Sequence, residues 1–109
     1  MDDQTAARLL QGERRRVERV LRDLDAADPD RLPEYERERN DRMRTQLRAE
    51  LEAVERAEAR LFEGTYGLSI ESGTPISEGR LHTFPTAERT EQEQERYEQA
   101  RGEAEPDLE

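Results

Sequence analysis

Two stripes of apolar residues at three- and four-residue steps, separated by one proline-bracketed break, restrict this chain to a helical hairpin. Leu10, Val17, Val20, Leu21 and Leu24, with Ala6 and Ala27 at the ends, recur through a polar background and predict a helix over residues 3–27. Met43, Leu47, Leu51, Val54, Ala57 and Leu61 repeat the pattern and predict a longer helix from Glu34 to Glu63. Between them lies Asp28-Pro29-Asp30-Arg31-Leu32-Pro33, which ends the first helix because proline disfavours helical geometry in the residue before it. Pro33 is tolerated at or just before the first turn of the second. Helices joined by so short a loop are antiparallel neighbours. At about 1.5 Å per residue the second extends about 45 Å, so the expected shape is a thin coiled-coil rod over residues 1–63 with its tip at 28–33. Arg14 falls where the stripe calls for a hydrophobe, and Gly12 sits mid-helix at a cost of about 1 kcal/mol relative to Ala, so the first helix should be weakest near its start. Glu38 with Arg42 and Glu52 with Arg56 are i,i+4 pairs in the favourable order.

Composition explains why the rod is thin. Of 109 residues only 31% are apolar, with no Trp and two Phe, too few for a large core. Net charge is −10, which disfavours capture of nucleic acid or an anionic membrane and points to a protein partner with basic surface. All 18 basic residues are Arg, a choice that GC-rich coding explains as well as ion-pair geometry does. Arg14-Arg15-Arg16 forms the one basic cluster in sequence and reads as a solvated helix face or as a contact to an acidic patch on a partner. The longest apolar runs are two to three residues, so a soluble cytoplasmic protein is expected. No cysteine, no glycine-rich phosphate loop and a single histidine, His82, argue against an enzyme.

After Gly64, which suits a helix C-terminus, glycine, proline and serine predict a small irregular or short β-hairpin module up to Pro85, on which Leu61 and Phe62 should dock the rod. A last helix is expected from Thr86 to Gln99, completing the module over 64–101. Between Glu91 and Glu109 eight acidic residues outnumber two basic ones, and residues 102–109 read as a disordered acidic tail.

Within this module, Gly64-Thr65-Tyr66-Gly67, then Ser69-Ile70-Glu71-Ser72-Gly73-Thr74-Pro75-Ile76, Arg80-Leu81, and Pro85-Thr86-Ala87 resemble the C-terminal zinc finger of the DksA/TraR family with every cysteine removed. The resemblance runs from about Leu32 to Gln94. It places Ser69 and Ser72 at the first two zinc-ligand positions and Thr90 and Glu93 at the second two. The fold it implies is mainly α: an antiparallel hairpin, a cysteine-free degenerate finger and a C-terminal helix. Hydroxyls are poor zinc ligands at neutral pH and one carboxylate cannot build a site, so no metal or other cofactor is expected and His82 should be a solvent-facing loop residue. Burial of Tyr66, Leu68, Ile70, Ile76, Leu81 and Phe84 would then replace the metal, helped by hydrogen bonds from Ser69, Ser72 and Thr90 to turn backbone.

The resemblance further implies a regulator that binds bacterial RNA polymerase and places its coiled coil in the secondary channel to modulate initiation. In the family the tip carries Asp-x-x-Asp-x-Ala; Asp25-Ala26-Ala27-Asp28 matches its first four positions and Asp30 stands where the alanine would be. Asp25, Asp28 and Asp30 are therefore the candidate contacts to a partner, although turn formation alone would select Asp28 before Pro29. The alternative is a coiled-coil adaptor that binds another protein or itself. The expected state is a monomer.

Overall fold

The computed structural model describes residues 1–104, and the last five residues of the expected tail lie outside them. Helix α1 spans Asp3–Ala26 and helix α2 spans Glu34–Glu63, close to the expected bounds. The side chain of Asp2 caps α1 by accepting from the Thr5 N–H at 2.7 Å. Gly64 closes α2 in the left-handed conformation at φ 83°, where a side chain would be strained. These two helices form the one extensive helix–helix contact among the described residues. Ala6, Leu10 and Val17 from α1 meet Leu47, Val54 and Ala57 from α2, and all six are buried. The molecule is flat rather than rod-shaped, with Cα extents of 48, 41 and 21 Å.

Arg14 is accommodated in the seam by charge rather than by exclusion. Its guanidinium binds Glu58 on α2 through two bonds, Nη2 to Oε1 at 2.5 Å and Nε to Oε2 at 3.3 Å. Arg16 likewise reaches across to Glu50 at 3.0 Å. The expected i,i+4 pairs do not form: Arg56 turns away from Glu52 to a carboxylate 32 residues on, and Arg42 makes no ion pair among the described residues.

The module departs from its expected outline in two places. Its hairpin is reduced to one antiparallel bridge between Leu68 and Pro75, and a short helix, α3, runs Glu78–Thr83 with the Ser77 side chain capping it. His82 therefore lies on a helix rather than in a loop, exposed, with Nδ1 2.9 Å from the Glu78 carbonyl. The last helix, α4, starts at Glu91, five residues later than expected, and continues to Ala104, so Gly102 to Ala104 are helical rather than part of a tail. No helix among the described residues is long and apolar enough to cross a membrane.

Polar bonds fasten the module to the rod. Phe62, expected to dock it, is 94% exposed, and Leu61 faces Ala7 and Leu10 instead. The carbonyl of Arg60 accepts from the N–H groups of Thr65 and Tyr66 at 2.9 and 3.2 Å, and the Tyr66 hydroxyl donates to the buried Pro85 carbonyl at 2.8 Å. Only Ile76 and Leu81 of the six residues expected to replace the metal are buried; Tyr66 is half-buried, and Leu68, Ile70 and Phe84 are 38%, 50% and 56% exposed. A chain this poor in hydrophobes lacks the apolar area for a second core, and hydrogen bonds and ion pairs take its place.

Candidate functional site

Ser69, Ser72, Thr90 and Glu93, two pairs separated by eighteen or more residues, converge on one point of the module. The Ser69 side chain is buried, and its Oγ accepts from the N–H groups of Glu71 and Ser72 at 3.0 and 3.2 Å. Ser72 Oγ accepts from the Thr74 N–H at 3.3 Å and lies 2.7 Å from the Thr74 hydroxyl. Gly73 sits between them at φ 74°, which closes the turn as the Ser69 N–H bonds the Thr74 carbonyl at 2.8 Å. On the other side, Thr90 Oγ1 accepts from the Glu93 N–H at 3.2 Å while Glu93 Oε1 accepts from the Thr90 N–H at 2.8 Å. This reciprocal capping box starts α4, which is why the helix begins at Glu91.

Glu93 joins the two halves. Donation from the Ser69 hydroxyl, the Thr90 N–H and the Ser72 hydroxyl holds its carboxyl down at about 2, so it is ionised at any physiological pH, and it is buried. A tetrahedral zinc site gathers anionic ligands around a cation. Here the sign is inverted, with one anion gathering neutral donors. Three hydroxyls and a carboxylate already committed to N–H and O–H donors do not fit zinc, and among the described residues no three His, Cys, Asp or Glu side chains form a metal-holding group.

A second anion hub lies beside the first. Glu88 accepts from Arg56 at 3.1 and 3.2 Å and from Arg60 at 3.1 Å, binding the module to α2. Burial alone would raise the Glu88 carboxyl, but the Arg56 hydrogen bond and the charges of Arg56, Arg60 and Arg89 hold it below its ordinary range. Its backbone carbonyl also accepts from the Ile70 N–H at 2.9 Å. The Arg89 guanidinium lies 3.8 Å from the centre of the Tyr97 ring, fastening α4. Sequence reasoning anticipated the hydroxyl bonds of Ser69, Ser72 and Thr90 to turn backbone, and missed the joining role of Glu93 and the whole second hub. Thr90-x-x-Glu93 was legible as a capping box, whereas nothing local marks Glu88 as the partner of arginines 28 and 32 residues earlier.

At the tip, two of the three candidate carboxylates already have internal partners. Asp25 accepts from Arg44 Nε at 3.0 Å, and the same guanidinium bonds Asp41 at 2.8 Å and the Leu24 carbonyl at 2.9 Å. Asp28 caps a 3-10 turn over Pro29–Arg31, accepting from the Asp30 N–H at 3.0 Å, and lies 3.4 Å from Arg31 Nε. Arg37 donates to the carbonyls of Pro29 and Leu32 at 3.1 and 2.8 Å, fixing the turn on α2. Asp30 is exposed and has no ion-pair partner among the described residues.

No protein-family model matches the chain, and no curated protein matches it. Among solved structures it is similar to the transcription factor DksA2 from Pseudomonas aeruginosa, at 29% sequence identity and a TM-score of 0.63, over 91% of this chain and 81% of that one. The chain therefore has a DksA-like fold, built without a cysteine.

Proposed function

We propose that this protein is a transcription regulator that binds RNA polymerase, inserting the α1–α2 hairpin into the secondary channel with its tip toward the catalytic centre. The observation that carries this reading is the likeness to DksA2, which spans hairpin and module together rather than a helix pair alone. The protein acts by binding and not as an enzyme, in the cytoplasm, and its module requires no zinc. Asp30 is the tip carboxylate without an internal commitment, able to pair with a basic side chain or approach a metal held by the polymerase. Asp25 and Asp28 shape the tip. A pull-down of core RNA polymerase, with and without an excess of a known secondary-channel factor, tests the reading. Binding removed by the competitor supports it; a folded protein that fails to bind ends it.

A second reading has one observation in its favour. Phe62 projects beside a groove lined by Ala7, Leu10 and Leu61, an apolar edge suited to an adaptor that binds another protein or itself. Light scattering over a dilution series tests the self-associating form of this reading, because a monomer at every concentration removes it.

A further inference from the structure

We propose that the outer face of α1 is a docking surface for an acidic protein surface, with Arg8, Arg15, Arg19 and Arg22 as its contacts. This rests on the polymerase reading above and names the chemistry of the surface that the hairpin meets. At 3.6 residues per turn these four arginines fall within a sector of about 60°, opposite the buried Leu10 and Val17, and form a line about 21 Å long. All four are exposed. No acidic residue lies in the sector, and Glu18 and Asp23 flank it on either side.

Nine of the other fourteen arginines are engaged within the chain, and Arg39, Arg42, Arg48, Arg96 and Arg101 are the remaining five. Arg14, Arg16, Arg31, Arg44, Arg56, Arg60 and Arg89 form ion pairs, and Arg37 and Arg80 donate to backbone carbonyls. Among the described residues none of the four on α1 does either, and no other helix face lines up more than two such arginines. Arg15 with Arg19, and Arg19 with Arg22, are like-charge neighbours at i,i+4 and i,i+3; Glu18 and Asp23 stand at helical spacing to offset part of this repulsion, but neither closes an ion pair with the four arginines. In a chain of net charge −10 such a stripe is a local reversal of sign.

Protein carboxylates suit this stripe better than phosphates do. Guanidinium forks bind carboxylates through two parallel bonds, and the axial steps of about 10, 6 and 4.5 Å along the line match Asp and Glu residues on successive turns of an acidic helix. A nucleic acid would bring its strong field against the flanking acids and the negative remainder of the molecule.

The test measures the affinity of core RNA polymerase for the full chain and for the quadruple variant Arg8→Gln, Arg15→Gln, Arg19→Gln, Arg22→Gln at low and moderate salt. Gln keeps helix propensity, and circular dichroism checks that the variant is folded. The expected result is binding weakened about tenfold with a shallower salt dependence. The matching Arg→Lys variant should keep part of the affinity, since charge is retained and the forks are lost. Unchanged affinity and salt dependence in the Gln variant would overturn the docking surface and leave the polymerase reading standing. Failure of the unaltered protein to bind polymerase would remove both. Equal affinity of the unaltered protein for a duplex DNA probe, lost in the Gln variant, would make the occupant nucleic acid and the proposal wrong.

Discussion

Glu93 is the residue on which the module turns, and its ionisation supplies a direct handle. Its carboxyl is held at about 2 against an ordinary 4.5, so the folded state binds its proton more weakly than the unfolded chain does. The resulting stability is present above about pH 5 and is lost as pH falls through 4.5 toward 2. Glu88 is shifted in the same direction and adds to the same loss. The melting temperature followed by circular dichroism should fall over that window, and Glu93→Gln should lower the plateau and flatten the fall. An equally steep fall in the variant would assign the acid sensitivity to other groups. Gly12 provides an opposite case. It is exposed in mid-helix, and an added Cβ meets nothing within 4 Å, so Gly12→Ala should stabilise the protein by about 0.5–1 kcal/mol, raising the melting temperature by several degrees. Phe62→Ala, at a side chain almost wholly in water, should stay within about 0.5 kcal/mol of the unaltered protein.

At the scale of elements, the hairpin and α4 are stabilised by different physics. Leu10 is 1% exposed in the α1–α2 seam, and Leu10→Ala should cost about 2–5 kcal/mol by lost transfer energy and the cavity left behind. Such a loss would unfold most of a marginally stable chain, visible as a collapse of helical signal at 37 °C. The Arg14–Glu58 pair one turn further on is about a third exposed on each side, so removing it by Arg14→Ala should cost about 1 kcal/mol or less. By contrast, α4 has hardly any apolar stripe and depends on its start. Thr90→Val removes the cap hydroxyl, and the expected cost is about 1 kcal/mol, read as fraying of α4 in amide exchange while α1 and α2 keep their protection. Equal loss across all helices would show that α4 does not unfold separately.

For the whole molecule, the anion hubs predict that folding of the module should not depend on metal supply, and a chain without cysteine has no thiol to oxidise. A strong chelator or a mild oxidant should leave the melting curve unchanged, because the groups that gather the module are a carboxylate, hydroxyls and backbone amides. A drop in melting temperature on chelation would overturn this account. If the hairpin enters the polymerase channel, the Asp30→Asn variant should lose its effect on transcription while retaining binding, and Asp25→Asn should act through the tip's shape, partly relieved when Arg44 is also changed to Gln. Transcription unaltered by Asp30→Asn would reject a mechanism at the tip.

Periodicity alone determined the hairpin, since apolar residues three and four apart can share a buried face only on helices, and the proline-bracketed break allows one reversal. The bounds of α2 from Glu34 to Glu63 followed from Pro33 and Gly64, which act through their own backbone dihedrals. The poor fit of Ser69, Ser72 and Thr90 to zinc was equally legible, as ligand chemistry is a property of the side chains themselves. Only the tertiary structure decided what stands in its place. Burial helped by hydroxyl hydrogen bonds was the expected substitute; the hydroxyl bonds form, yet Leu68, Ile70 and Phe84 are only partly buried, and Glu93 and Glu88 take the central positions. The tip divided in the same way: three aspartates looked alike in sequence, and Arg44 and the 3-10 turn left only Asp30 uncommitted. Charged contacts between residues tens of positions apart leave no period in a sequence, because a carboxylate carries no mark of which arginine will reach it. Local geometry repeats along the chain and can be read there; partner choice is settled only when the chain has closed on itself.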